Sequence, residues 1–263
     1  MPKTSRPRRA PAKPAMPPPG ARQAFRRRLL AWYDRHGRDL PWRSTDDPYH
    51  ILVSEVMLQQ TQVDRVLPKY HEWLEKYPSL EALARAPEEH AVRTWYPLGY
   101  NIRPRRLHAI ARESVARYGG ELPSDGDTLR SFKGIGPYTA GALLSFAFRQ
   151  RAAILDTNVA RVLFRVFAGR GTPKAHAMKQ HLWRVSAVMV PQKRAFDFNQ
   201  AIMDFGATVC TARKPRCVEP VPQPVLAPRG RALTQVAKAS PACPMATMCK
   251  AFPFDPEHER AGK

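Results

Sequence analysis

Two carboxylates in this chain sit where mere solvation is hard to arrange, and together they suit cleavage of a glycosidic bond. Glu55 lies inside Ile51-Leu52-Val53-Ser54-Glu55-Val56-Met57-Leu58, an apolar run that leaves its side chain few routes to water. Most helical glutamates face solvent, and a fully buried one has a partner, so the commonplace reading is a surface residue. Partial burial would instead raise its pKa and keep it protonated near neutral pH, the state a general acid needs. Asp156 follows Ala152-Ala153-Ile154-Leu155 and precedes an amphipathic stretch, so its simplest role is a helix cap. There the helix-terminal N–H groups and the dipole favour the anion, which predicts a carboxylate that stays ionised. One raised and one lowered carboxyl form the pair that glycoside hydrolysis sets around an oxocarbenium-like transition state.

A second chemical cluster is made of cysteines. All four lie after residue 209: Cys210 and Cys217 enclose six residues, Cys243 and Cys249 enclose five, and Pro244 follows Cys243. Such clustering points to a metal rather than to a disulfide framework distributed along a secreted chain. Four thiolates suit a 4Fe-4S cluster, tetrahedral zinc would use the same ligands, and four unligated reduced thiols are the plain alternative.

The elements that must position these groups read as helices, because apolar residues recur at helical spacing and no stretch alternates with period two. The fold class expected is all-α. Asp47-Pro48 places a capping side chain before a first-turn proline and opens a helix through Ile51, Leu52, Glu55 and Leu58. A helix from about Arg103 to Tyr118 should stop at Gly119-Gly120. Another follows Asp156, with Val159, Val162, Leu163, Val166 and Phe167 as its apolar stripe, Arg161 and Arg165 elsewhere on it, and Gly169 as its end. Between Leu129 and Phe148, Lys133-Gly134-Ile135-Gly136-Pro137 interrupts two apolar helical runs, the second rich in small residues. Two glycines about one apolar residue make a tight turn whose N–H groups can face a phosphate.

Composition supplies the partner. With 43 Lys plus Arg against 22 Asp plus Glu, the formal charge is +21, which favours polyanions and salt-sensitive binding to nucleic acid. Residues 1–28 hold nine basic and no acidic residues, so the rest of the chain still carries +12. Residues 1–24 read as a basic, proline-rich disordered tail, a DNA-affinity arm ahead of a mitochondrial presequence. Residues 218–242 read as a loop and residues 253–263 as a tail. No apolar stretch nears the ~20 residues that span a bilayer and no signal-peptide core is visible, so an intracellular protein is expected, with no membrane partner.

Pro41-Trp42-Arg43, the run from Ser54 to Val63 (SEVMLQQTQV), Leu98-Gly99-Tyr100, Gly134 to Ala140 (GIGPYTA) and Leu155 to Val159 (LDTNV) carry a family resemblance. From about residue 25 to 252 the chain resembles the helix-hairpin-helix DNA glycosylases, specifically the MutY-type adenine glycosylases. That resemblance implies a monomeric base excision repair enzyme acting on double-stranded DNA with a mispaired or oxidised base. It implies that Glu55 protonates the extruded adenine and assists water, that Asp156 stabilises the sugar cation, and that Tyr138 helps hold the site. Trp42 and Arg43 would line the base pocket, and Gln60 and Tyr100 would press into the duplex, although ordinary aromatic packing is the alternative for Trp42 and Tyr100. Gln59, Lys133, Gly134, Gly136, Thr139 and Asn158 complete the implied base and DNA contacts. A six-helix module over residues 41–150 and a cluster module of residues 25–40 and 151–252 would flank the DNA cleft. In a bacterium the location implied is the nucleoid; in a eukaryote, the nucleus or mitochondrion.

Three further points qualify that picture. The endonuclease III branch has a lysine two positions after the second hairpin glycine, where it forms a Schiff base that cuts the strand; Tyr138 stands there and cannot form that imine. The resemblance implies that Cys210, Cys217, Cys243 and Cys249 hold a 4Fe-4S cluster, ahead of zinc, that fixes a basic loop of Arg213, Lys214 and Arg216 against phosphate. The family's middle spacing is two residues and here it is 25, an insertion whose closure costs roughly 2 kcal/mol. MutY-type enzymes usually carry a further C-terminal domain that reads 8-oxoguanine, and the sequence ends at Lys263 without room for one. A thymine or uracil mismatch glycosylase of the same fold is therefore the alternative, and a catalytically silent DNA-binding module is the alternative of another class.

Overall fold

The computed structural model describes residues 14–169, 172–217 and 243–252. Eleven α-helices and no strands are found among them, in agreement with the all-α expectation. They are α1 (Pro19–His36), α2 (Pro48–Met57), α3 (Val63–Lys76), α4 (Leu80–Arg85), α5 (Glu88–Trp95) and α6 (Ile102–Tyr118), followed by α7 (Gly126–Ser131), α8 (Pro137–Phe146), α9 (Thr157–Leu163), α10 (His176–Met189) and α11 (Ala195–Thr208). No helix among the described residues is long and apolar enough to cross a membrane.

The central element is α2, from which only Pro48 and His50 escape full burial. Asp47 caps it as expected, its Oδ1 accepting from the Tyr49 N–H at 2.7 Å and the His50 N–H at 3.2 Å. Around α2 pack α3, α6 and α8, while α4 and α5 lie on α6. Trp73 anchors this side, its indole edge-on to Trp95 at 5.5 Å and to Tyr77 at 4.9 Å. A second group forms where α11 meets α1, α9 and α8, with α10 on α9 and α1.

The tail expectation needs correction. Residues 1–13 lie outside the described residues, but Pro19 to Gln23 belong to α1 rather than to a disordered segment 1–24. Pro19 starts the helix because a first-turn proline gives up no hydrogen bond there. Phe25, Leu29 and Trp32 then form a buried stripe, with Phe25 5.3 Å from Phe167 and Trp32 5.4 Å from Phe205. Arg26 ties the helix to the end of α10, donating to the carbonyls of Met189 (2.8 Å) and Val188 (2.6 Å). The segments 218–242 and 253–263, read as loop and tail, also lie outside the described residues.

Two other boundaries agree with the sequence reading. Gly119 closes α6 in the left-handed conformation (φ 64°), and Asp156 caps α9. Beyond Leu163 the chain widens into one π-helical turn, Phe164–Ala168, before Gly169 stops it. Arg165, expected on another face from the apolar stripe, is instead buried in that turn at 3% exposure. The turn rotates it inward, where it donates to the carbonyls of Thr211 (2.7 Å) and Ala212 (3.1 Å) and satisfies the loop that begins at Cys210.

Candidate active site

A cleft of ≈ 1190 Å³ opens between the C-terminal end of α2, the start of α8, the start of α9 and the face of α11. Glu55, Tyr138 and Asp156 all line it, as do Trp42, Arg43, Gln59, Gln60 and Asn158. Residues far apart in the chain therefore meet at one surface, as the carboxylate pair requires.

Glu55 is buried, and burial pushes its carboxyl up to about 7. The neighbouring Tyr138 phenol draws it back, the Asp156 charge raises it further, and Arg43 opposes that rise; the phenol's own hydrogen bond goes to Met203 Sδ at 3.9 Å. Asp156 departs from expectation. Its Oδ1 accepts from the Val159 N–H at 2.6 Å and its Oδ2 from Asn158 Nδ2 at 2.9 Å, as an N-cap should, yet its pKa is raised. The cap bonds and Arg161 pull it down, but loss of solvent around the carboxyl outweighs them. The pair is thus two raised acids of unequal environment: Glu55 held near neutrality without a cap, Asp156 with two donors reserved for its anion. The phenol of Tyr138 is driven well above its ordinary value by burial and by both carboxyls, so it remains a hydrogen donor.

Trp42 both lines the cleft and packs edge-on to Tyr70 at 5.3 Å, so packing and lining are one arrangement. Arg43 is gripped from below by a residue the sequence reading passed over. Asp204 on α11 is fully buried and accepts Arg43 Nη1 (2.8 Å) and Nη2 (2.7 Å), and also Arg38 Nε (2.7 Å). Burial alone would raise this acid, but the two guanidiniums hold it below the usual carboxylate range. Its signal was legible: Ala201-Ile202-Met203-Asp204-Phe205 is an apolar run interrupted by one acid, the same pattern that marks Glu55.

Other predicted residues lie elsewhere. Thr139 is buried in α8 at 4% exposure and does not line the cleft, because its position turns it to the helix packing face rather than to Tyr138's side. Lys133 and Gly134 form the exposed hairpin turn, where Gly134 takes φ 113°, a conformation closed to other residues. Gly136 is extended (φ −88°) and serves as the residue before α8. Tyr100 stands outside the cleft, 62% exposed with φ 50°, so aromatic packing does not account for it.

The four cysteines line one apolar cavity with Val166, Phe205, Val209 and Met245. Burial pushes Cys243 up to about 12 and Cys249 up to about 11, and their mutual charges add to the rise. Arg165 Nη1 donates to Cys210 Sγ at 3.5 Å. Among the described residues, no three His, Cys, Asp or Glu side chains stand where a single metal ion could join them. From Cys210 a bonded path runs back to the cleft: its carbonyl accepts Arg161 Nε (2.7 Å), and Arg161 Nη2 donates to Asn158 Oδ1 (2.8 Å) beside Asp156. Arg213, Lys214 and Arg216 are exposed on the loop between Cys210 and Cys217.

The chain combines a helical hairpin that ends in an exposed glycine turn with a cleft holding one buried and one half-buried acid. The chain belongs to the HhH-GPD superfamily of base excision DNA repair proteins, whose family model matches residues 53–187, just over half of it. It is 46% identical over 203 residues to the adenine DNA glycosylase of Mus musculus, covering 74% of this chain and 39% of the relative. To the adenine DNA glycosylase of Mycolicibacterium smegmatis it is 45% identical over 190 residues, 72% of this chain and 64% of the relative. The chain thus spans well under half the length of the mammalian relative. Among solved structures, a thermostable thymine-DNA glycosylase is 33% identical with a TM-score of 0.69, covering 74% of this chain and 90% of that one. A trapped endonuclease III–DNA covalent intermediate has a TM-score of 0.67 at 22% identity, covering 87% and 95%, and shares the fold.

Proposed function

We propose that this chain is a monofunctional DNA glycosylase that hydrolyses the N-glycosidic bond of adenine mispaired with 8-oxoguanine or guanine. The observation that carries the reading is a buried carboxyl held near pH 7, facing a second, capped carboxyl across one cleft of a strongly basic chain. Glu55 gives its proton to the extruded base as the C–N bond breaks and the bonding electrons leave with the base. Asp156, its anion held by Val159 and Asn158, faces the positive charge that develops on the sugar. Water then adds to the sugar and returns a proton to Glu55. The phenol of Tyr138 has no amine to form an imine, so the strand stays uncut, and borohydride should trap no stoichiometric covalent complex.

On this reading residues 41–150 and the pair 25–40 with 151–252 form two modules with double-stranded DNA between them. Gln60 and Tyr100 enter the duplex, and the hairpin turn at Lys133-Gly134 meets phosphate. The protein works as a monomer at the nucleoid in a bacterium, or in the nucleus or mitochondrion in a eukaryote.

A 4Fe-4S cluster held by Cys210, Cys217, Cys243 and Cys249 belongs to the same proposal. Four thiols around one apolar cavity are a ligand set that a cluster or a zinc ion would use, and the family resemblance favours the cluster. The cluster supplies structure to the loop of Arg213, Lys214 and Arg216. Purified protein should contain about four iron and four sulfide per chain and lose both on Cys243→Ser; a colourless, metal-free protein of full activity excludes it.

The test of substrate is a panel of duplexes carrying A:8-oxoG, A:G, T:G and U:G. Release from the two adenine duplexes is expected. Release only from T:G and U:G would transfer the assignment to a thymine or uracil glycosylase, a reading favoured by the 33% identical thymine-DNA glycosylase structure. Binding without release from any duplex would leave a silent DNA-binding module.

A further inference from the structure

Arg103, in the first turn of α6, is 3% exposed and has no carboxylate partner among the described residues. Its guanidinium is spent almost wholly on backbone carbonyls of two segments distant in sequence. Nη1 donates to Val56 O (3.1 Å), Met57 O (3.0 Å) and Gln59 O (2.6 Å), at the end of α2. Nη2 donates to Leu98 O (3.0 Å) and Gly99 O (3.2 Å), in the loop before α6. Both nitrogens share Thr61 Oγ1 at 3.2 Å, and the guanidinium carbon lies 5.1 Å from the Trp95 ring and 5.4 Å from the Tyr100 ring.

The positions of these carbonyls are informative. Gln59 O and Gly99 O belong to the peptide groups that immediately precede Gln60 and Tyr100, two exposed residues with left-handed backbones (φ 57° and 50°). A non-glycine residue in that region is strained and persists only where its surroundings over-determine it. One planar fork fixes both peptide groups, and through Val56 O and Met57 O it fixes them to the helix that carries Glu55. A lysine ammonium has the charge but not the breadth to hold both segments.

We infer that Arg103 is a positioning residue for base extrusion, presenting Gln60 and Tyr100 to the duplex together and in register with Glu55. The inference rests on the glycosylase reading above. Its test is a double-mutant cycle read by fluorescence of a duplex in which 2-aminopurine replaces the mispaired adenine and brightens on unstacking. Arg103→Lys should lower the extruded fraction about tenfold while matched-duplex affinity stays within about twofold; in the Gln60→Ala/Tyr100→Ala background the same change should cost less than about twofold. An equal loss in both backgrounds means that Arg103 serves general stability, and overturns the inference alone. If the unaltered protein brightens no mismatched duplex, the glycosylase reading falls and takes the inference with it. Should Arg103→Lys fail to fold by circular dichroism, Thr61→Val removes the acceptor shared by both nitrogens, and the same cycle should show a loss of about threefold that disappears in the Gln60→Ala/Tyr100→Ala background.

Discussion

Glu55 remains protonated in the folded chain at pH values where an unfolded chain has already released that proton. With the folded value at about 7 and the ordinary value 4.5, folding takes up a proton between those limits. The sign follows from linkage: a raised pKa contributes its full stability below the unfolded value and loses it as pH rises through the folded one. Glu55→Gln should therefore match the wild type near pH 4 and exceed it at pH 8, by on the order of 3 kcal/mol at most, in denaturant titrations at the two pH values. Asp156, also raised by burial, changes stability in the same direction and keeps its carboxyl in that variant. Base release by Glu55→Gln should fall about 10²–10⁴-fold with duplex affinity kept, and wild-type release should decline above pH 7 as the proton is lost. A stability difference independent of pH would mean that the carboxyl reaches water.

Among the elements, the joint between α8 and the segment leading to Asp156 has the least room. A Cβ at Gly141 would stand 2.2 Å from the Ala153 carbonyl oxygen, a backbone atom that cannot turn aside. Asn199 on α11 fixes the same joint, donating to Ser145 Oγ (2.8 Å) and Ala152 O (2.9 Å). Gly141→Ala should cost about 1–3 kcal/mol in chemical denaturation and slow base release, since it displaces the approach to Asp156; unchanged stability would show that the two segments part freely. Asp47→Ala removes the cap of α2 and should cost about 1 kcal/mol by the same measurement, with a loss of a few tenths indicating that water replaces the carboxylate. These joints were half legible. The run Ala140-Gly141-Ala142 announced a close approach, but what approaches is set by a chain turn that no window of sequence contains.

At the scale of the whole molecule, a charge of +21 predicts association dominated by counterion release. The logarithm of duplex affinity should fall linearly with the logarithm of salt concentration, losing about 10³–10⁵-fold between 50 and 200 mM if six to ten phosphates are neutralised. A slope equivalent to one or two phosphates would mean that most of these cations do not meet the duplex. The exposed cations of the hairpin and of the loop after Cys210, Lys133 and Arg213 among them, are expected to supply part of that slope.

Helix starts and stops, the glycine hairpin and the carboxylate of Glu55 in its apolar run were all decided by neighbours in the chain. Capping, backbone freedom and apolar period act over a few residues, and the sequence alone carries them. Arg43 gripped by Asp204 161 positions away, Arg103 spanning two loops, and the upward shift of Asp156 were decided only by the tertiary structure. The reason is physical: desolvation and charge pairing depend on which groups share a volume, and chain folding, not chain order, determines that.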